Sequence, residues 1–207
     1  NISSRIKTKL YEEDFDMPTD PFPYGIMAWT QSDLAVLVYD RFDIWQLDPD
    51  AVVAPVNLTA GEGRKNKIAY RYIRTDADET FISPSQEILL HMFAEENKYA
   101  GLATCKMVNA SRPVTVVNGA FAINTRLAKA KNNDTYIYTK ESYVNPPDLY
   151  VNTGWRREIK LSAINPQQAH YSWGTAELFR WKAYDGKQAT GIVYKPEHFD
   201  PKKKYPA

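Results

Sequence analysis

The sequence predicts an all-β fold: antiparallel four-stranded blades, about three of them, forming part of a β-propeller and followed by a C-terminal hairpin and linker. Three observations predict it. Phe, Trp and Tyr make up 13% of the 207 residues, a composition suited to pleated, half-buried surfaces. Short apolar runs beginning at Leu34, Ile88 and Thr135 recur at roughly 50-residue intervals, the period of propeller blades. No long window carries the 3.6-residue period of an amphipathic helix.

Taken in order, Ile2 to Phe15 reads as a strand or strand pair with polar interruptions. Pro18, Pro21, Pro23 and Gly25 make the next stretch a loop. The first blade starts with a short strand at Ile26 to Trp29, then a polar turn at Thr30 to Asp33. Leu34 to Tyr39 is continuously apolar, the mark of a strand covered on both faces. Asp40 to Asp43 turns the chain, Ile44 to Leu47 returns, and Val52 to Leu58 forms an outer strand after the Asp48-Pro49-Asp50 turn.

The second blade repeats the plan. Lys67 to Arg74 places Ile68, Tyr70 and Tyr72 on one side, Ile88 to Phe93 is the buried run, Tyr99 to Val108 returns and Val114 to Val117 closes. In the third, Phe121 to Ala128 precedes Asp134 to Thr139, and Leu149 to Val151 and Glu158 to Leu161 follow the Pro146-Pro147 turn. Asp43 to Asp48 (D-I-W-Q-L-D) and Asp148 to Asn152 (D-L-Y-V-N) are alike. Three blades cannot close a ring, and an open arc exposes two sheet faces that ordinarily pack on neighbouring blades. A homo-oligomer is one way to cover them.

The last stretch, Tyr171 to Ala207, alternates apolar and polar residues on either side of Asp185-Gly186, a favoured two-residue hairpin turn. Phe179, Trp181 and Ala183 share a face of the first run. Ala189 to Tyr194 forms the second, and Pro196, Pro201 and Pro206 punctuate a basic tail. The elements W-G-T-A-E-L, D-G-K, G-I-V-Y-K-P and F-D-P-K-K-K-Y-P resemble the junction in prolyl oligopeptidase-family serine peptidases, where a β-propeller leads into an α/β-hydrolase domain. The setting Y-D-R-F-D-I-W from Tyr39 also resembles inner blade strands of that family. The resemblance implies a propeller part at 1–172 and, at 173–207, a hairpin and linker into a hydrolase domain absent from this chain. It also implies a periplasmic or secreted parent.

The chemistry on this chain is sparse. A serine hydrolase needs a nucleophile in a G-x-S-x-G turn with an acid and a histidine later. That motif is absent, and none of the three histidines, His91, His170 and His198, has a partner by motif. No catalytic residue is therefore assigned. One cysteine, Cys105, and scattered histidines give no metal-ligand spacing, so neither metal nor cofactor is expected, and Cys105 reads as a packed side chain. A net charge of +1 gives no footprint for nucleic acid or an anionic membrane. No apolar run approaches the ~20 residues of a spanning helix. Glycosylation sequons stand at Asn1, Asn57, Asn109 and Asn133.

Two polar groups are candidates for a substrate channel. Glu12 and Glu13, within L-Y-E-E-D, resemble the Tyr-Glu-Glu segment with which dipeptidyl peptidases of that family hold a substrate ammonium. The family places that motif earlier in its propeller, and a solvated acidic turn is the ordinary account. Gly63 to Lys67, with Arg71 and Arg74, is a basic loop whose Arg64 and Arg71 could offer guanidinium groups to a peptide carbonyl or carboxylate, and Gly61 to Lys65 reads as a loop between strands. A solvated basic loop is the alternative. The resemblance implies a non-catalytic propeller that gates peptide access to a triad downstream, inactive by itself. The competing class is a stand-alone propeller-like module that binds a protein or glycan through its loops.

Overall fold

In a computed structural model, which describes residues 1–108, 110–124 and 126–205, the protein is all-β and antiparallel. The first blade has strand order β1 (Ile26–Trp29), β2 (Val36–Tyr39), β3 (Ile44–Leu47) and β4 (Val56–Asn57). A five-residue helix, α1 (Glu62–Asn66), leads into the second: β5 (Ile68–Ile73), β6 (Glu87–Ala94), β7 (Ala100–Lys106) and β8 (Val114–Gly119). The third runs β10 (Ala128–Lys129), β11 (Thr135–Glu141), β12 (Asp148–Thr153) and β13 (Arg157–Lys160), with β9 (Ala122–Ile123) also on the β11 edge. A separate two-stranded hairpin joins β14 (Thr175–Lys182) to β15 (Gln188–Lys195).

Strand alternation explains how the blades stack. On β6, Ile88, Leu90 and Met92 meet Leu37, Ile44 and Leu58 of the first blade in one apolar cluster. Leu89 and Phe93 point the other way and pack with Tyr136 and Tyr138 of the third blade. A strand covered on both faces is apolar at nearly every position, and in the Ile88 run only the half-buried His91 departs from this. Beyond the third blade the pattern stops. Ile137 pairs with Val151 and Val151 with Ile159, but this row faces outward, with Ile137 39% and Ile159 41% exposed.

Several expectations are corrected, two of them by a carboxylate that claims backbone amides. Ile2 to Phe15 forms no strand and makes only an isolated bridge, Tyr11 to Pro23, flanked by Glu12 N–H to Phe22 O and Tyr24 N–H to Leu10 O. The outer strand expected over Val52 to Leu58 shrinks to β4. The Asp48 carboxylate accepts the amides of Asp50, Val52 and Val53, withdrawing them from the sheet. Leu34 is 70% exposed, so burial starts at Ala35.

The loop expected at Gly61 to Lys65 is α1. The Asp43 carboxylate accepts the amides of Gly63 and Arg64 at 2.9 and 3.0 Å, satisfying donors that a helix start leaves open. Phe121 to Ala128 yields two short pairings, β9 and β10, with Thr125 outside the described residues. The Asp185-Gly186 turn is longer than two residues. Ala183 N–H bonds Lys187 O, Gly186 N–H bonds Ala183 O, and only Gly186 takes a positive φ, +81°. This is the three-residue type I turn with a glycine bulge. The sequon at Asn109 and the tail at Pro206 also lie outside the described residues.

Candidate functional site

The turn between β2 and β3, Asp40-Arg41-Phe42-Asp43, is where the structure gathers its charge. Asp40 is fully buried. Its Oδ1 accepts the amides of Phe42 and Asp43, both at 2.7 Å, and its Oδ2 accepts the Trp45 indole N–H at 3.0 Å and the Thr8 hydroxyl at 3.1 Å. Asp43, also fully buried, accepts the Thr59 hydroxyl at 2.6 Å. The turn is therefore held by two carboxylates whose acceptor capacity is used.

Around it stand three arginines. Arg41 grips Glu95 of the second blade through Nε at 2.9 Å and a second nitrogen at 3.1 Å, and also pairs with Asp14. Arg64 grips both oxygens of Glu13, at 2.5 and 3.3 Å, and lies 3.6 Å from Asp40 Oδ2. The Arg41 and Arg64 guanidinium groups each lie 5.2 Å from the Phe42 ring, a cation–π geometry. Arg71, on β5, donates only to main-chain carbonyls: Tyr70 at 2.7 Å, Arg41 at 3.1 Å and Asp40 at 3.3 Å. It lies 4.8 Å from the Tyr39 ring and 5.8 Å from that of Tyr24. Among the described residues it has no carboxylate partner.

The electrostatics follow from this arrangement. The hydrogen bonds that Arg41 donates to Glu95 and Asp14 hold its guanidinium firmly charged, and the one Arg64 donates to Glu13 does the same there. Burial pulls the Arg71 pKa below the ordinary arginine value. Burial likewise pushes the Tyr24 and Tyr39 phenols up, so both stay neutral beside Arg71.

The segment Leu10 to Tyr24 lies across this cluster as a strap. Its ends are tied by Tyr24 N–H to Leu10 O and Glu12 N–H to Phe22 O. Phe15 meets Phe22 edge-on at 5.7 Å, and the Tyr24 hydroxyl accepts the Glu13 amide at 3.0 Å. Beneath it is a cavity of about 450 Å³ lined by Glu12, Glu13, Asp14, Arg41, Arg71 and Glu95, among others. The structure thus brings together all four candidates named from the sequence. Glu12, Glu13 and Arg71 line the cavity and Arg64 holds Glu13. Glu13 is spent on Arg64, whereas the exposed Glu12 carboxylate makes no ion pair among the described residues. Sequence reasoning missed Asp40, Arg41 and Glu95. The signal was present in Tyr39 to Trp45, where two aspartates and an arginine interrupt an otherwise apolar stretch.

Elsewhere the chemistry is thin. A larger cleft of about 1110 Å³ lies between the second and third blades and β14, lined by His91, Phe93, Phe121, Tyr143 and Leu178. Two of its charged side chains are engaged: Glu177 pairs with Lys195, and Arg180 donates to Glu96 O. Burial and Arg71 pull the His91 pKa down. Burial pushes the Cys105 thiol up to about 11, the opposite of an activated nucleophile. Among the described residues no group of three or more His, Cys, Asp and Glu side chains could hold a metal, and no helix is long and apolar enough to cross a membrane.

The class these observations define is a partial β-propeller with a polar cluster at one blade turn. The fold is similar to that of the acylaminoacyl peptidase of Pyrococcus horikoshii, with a TM-score of 0.51 and 16% identity over 92% of this chain. The chain spans 28% of that peptidase's length. A looser likeness, TM-score 0.42 and 10% identity, covers 91% of this chain and 48% of a variant of the isopeptidase AtxE2. No protein-family model and no curated protein sequence matches the chain.

Proposed function

We propose that the chain is the propeller portion of a serine peptidase. In this reading the propeller gates peptide access, and a Ser-Asp-His triad on a hydrolase domain downstream cuts the bond. The likeness to the acylaminoacyl peptidase carries the reading, since it extends over 92% of the chain. The W-G-T-A-E-L to K-K-Y-P stretch supports it independently. The outward apolar row Ile137, Val151 and Ile159 is the kind of face that a further blade covers. The substrate class is a short or unfolded peptide processed near its amino terminus or after proline. Residues 1–172 serve as the propeller part and 173–207 as the lead into the hydrolase.

The arginine cluster is the part of this chain that meets substrate. Guanidinium forks suit a peptide carbonyl or carboxylate, and Glu12 is the free acid at the rim. The test is to read the source gene past the Ala207 codon and assay its product. The reading expects an open frame with G-x-S-x-G, then Asp, then His, and a product that hydrolyses acylated or dipeptidyl reporters while residues 1–207 alone do not. A stop codon near Ala207 overturns it in favour of a stand-alone binding module, as does hydrolysis by residues 1–207. Unchanged kcat/KM for several peptides in the intact Arg64→Ala enzyme would remove the arginines from the substrate path.

A further inference from the structure

We infer that the three-arginine floor is a binding site for a peptide segment bearing adjacent carboxylates, and that the strap occupies it in cis. This rests on the reading of the arginine cluster as the substrate-facing part of the chain, and it adds how that site is regulated. Glu13 and Asp14 are consecutive, and each takes a different arginine, Arg64 and Arg41. The strap therefore presents the ligand that the floor is shaped to hold.

Two observations show unused capacity in the floor. Arg64 Nε is buried and has no hydrogen-bond partner. Arg71 lines the cavity with no carboxylate partner among the described residues. Without the strap, Arg64 loses the carboxylate that fills its fork and Arg41 keeps Glu95 alone. The freed guanidinium donors select a carboxylate. A guanidinium fork like Arg64's recognises a carboxylate by two parallel hydrogen bonds.

The strap is built to move as a unit. Its internal ties are the Tyr11–Pro23 bridge and the Phe15–Phe22 contact, while its side-chain grip on the blades is mainly ionic, through Glu13, Asp14 and, just before it, Thr8 on Asp40. Gly25, at φ +106°, follows immediately, and its carbonyl accepts the Tyr39 amide at 3.0 Å. Glycine alone holds that conformation without strain, so the chain turns there from the strap into β1. Ionic tethers with part of their surface in water weaken with salt, whereas the Phe15–Phe22 contact does not.

The probe is the strap's own sequence supplied in trans, the capped tetrapeptide Glu-Glu-Asp-Phe, titrated calorimetrically into the chain. The control is Gln-Gln-Asn-Phe. A site occupied in cis binds with an affinity reduced by the fraction of time it is open. The double variant Glu13→Gln, Asp14→Asn should therefore bind the acidic probe at least about tenfold more tightly than the parent chain. Adding Arg64→Met should erase the gain, and the control peptide should not bind. Hydrogen exchange over 10–24 should quicken in the double variant.

Phe22→Ala loosens the strap without touching a charge and should also raise probe affinity, which keeps the test open should the double variant fold poorly. Equal affinity in the parent chain and both folded variants overturns the inference. A gain that survives Arg64→Met, or equal binding of the control, overturns it as well. Because the titration reads carboxylate binding by this chain alone, it can fail while the peptidase reading stands, and the gene readout can fail while this succeeds.

Discussion

Thr59 donates a 2.6 Å hydrogen bond to Asp43 across sixteen residues, and Ser162 donates one of 2.8 Å to Asp148 across fourteen. Each aspartate stands at the start of its blade's third strand, Asp43 just before β3 and Asp148 as the first residue of β12, and each hydroxyl follows the fourth. Each carboxylate also accepts amides from the chain leaving the blade: Gly63 and Arg64 in one case, Ile164 in the other. The pair works as a staple fixing where the chain goes next.

Thr59→Val keeps the shape of the side chain and removes the donor from a fully buried site. It should cost about 1–3 kcal/mol, read from the urea midpoint. Ser162→Ala, where the donor is only partly buried, should cost less.

Gly63→Ala should disrupt the link between the first blade and α1. A methyl group there would sit 2.7 Å from Asp43 Oδ1 and 2.8 Å from Phe42 O. A cost of about 1–3 kcal/mol is expected. A crystal structure of the variant should show Arg64 shifted off Glu13.

Asp148 gives the third blade a pH dependence. The hydrogen bond from Lys160 holds its carboxyl below the usual range. Its folded pKa is depressed, so its contribution is complete above the ordinary carboxylate value of about 4 and is lost as pH falls through the lower folded value. Asp148→Asn should melt at a lower temperature than the parent chain at pH 7. The gap should narrow as the pH falls below about 4, measured by calorimetry.

Cys105 should be inert while the chain is folded. With its thiol pushed to about 11, the thiolate at pH 8 is roughly a hundredfold scarcer than in an ordinary cysteine. A disulfide reagent should label it at least about that much more slowly before unfolding than after.

The outward row on the third blade should make the isolated chain self-associate. Sedimentation at rising concentration should show it. Ile159→Lys, at a position 41% exposed, should suppress the association and leave the melting temperature nearly unchanged.

Much of the fold was legible because strand signals are local. Ile44 to Leu47 matched β3 residue for residue, and the Ile88 run announced a strand covered on both faces. Errors fell where a side chain takes backbone amides out of the ladder, as Asp48 does before β4 and Asp43 does at α1. Such capture depends on where a carboxylate ends up, and alternation does not report that.

The sequence alone determined the all-β class, the blade repeat and the want of any G-x-S-x-G motif, because period, turn residues and motif spacing are properties of neighbours along the chain. Only the tertiary structure decided that Glu13 meets Arg64 across 51 residues and that Arg41 meets Glu95 across 54. Charge carries no period. An acidic run and scattered arginines read as solvated surface until the stacking of two blades and the return of the strap put them within a hydrogen bond of one another.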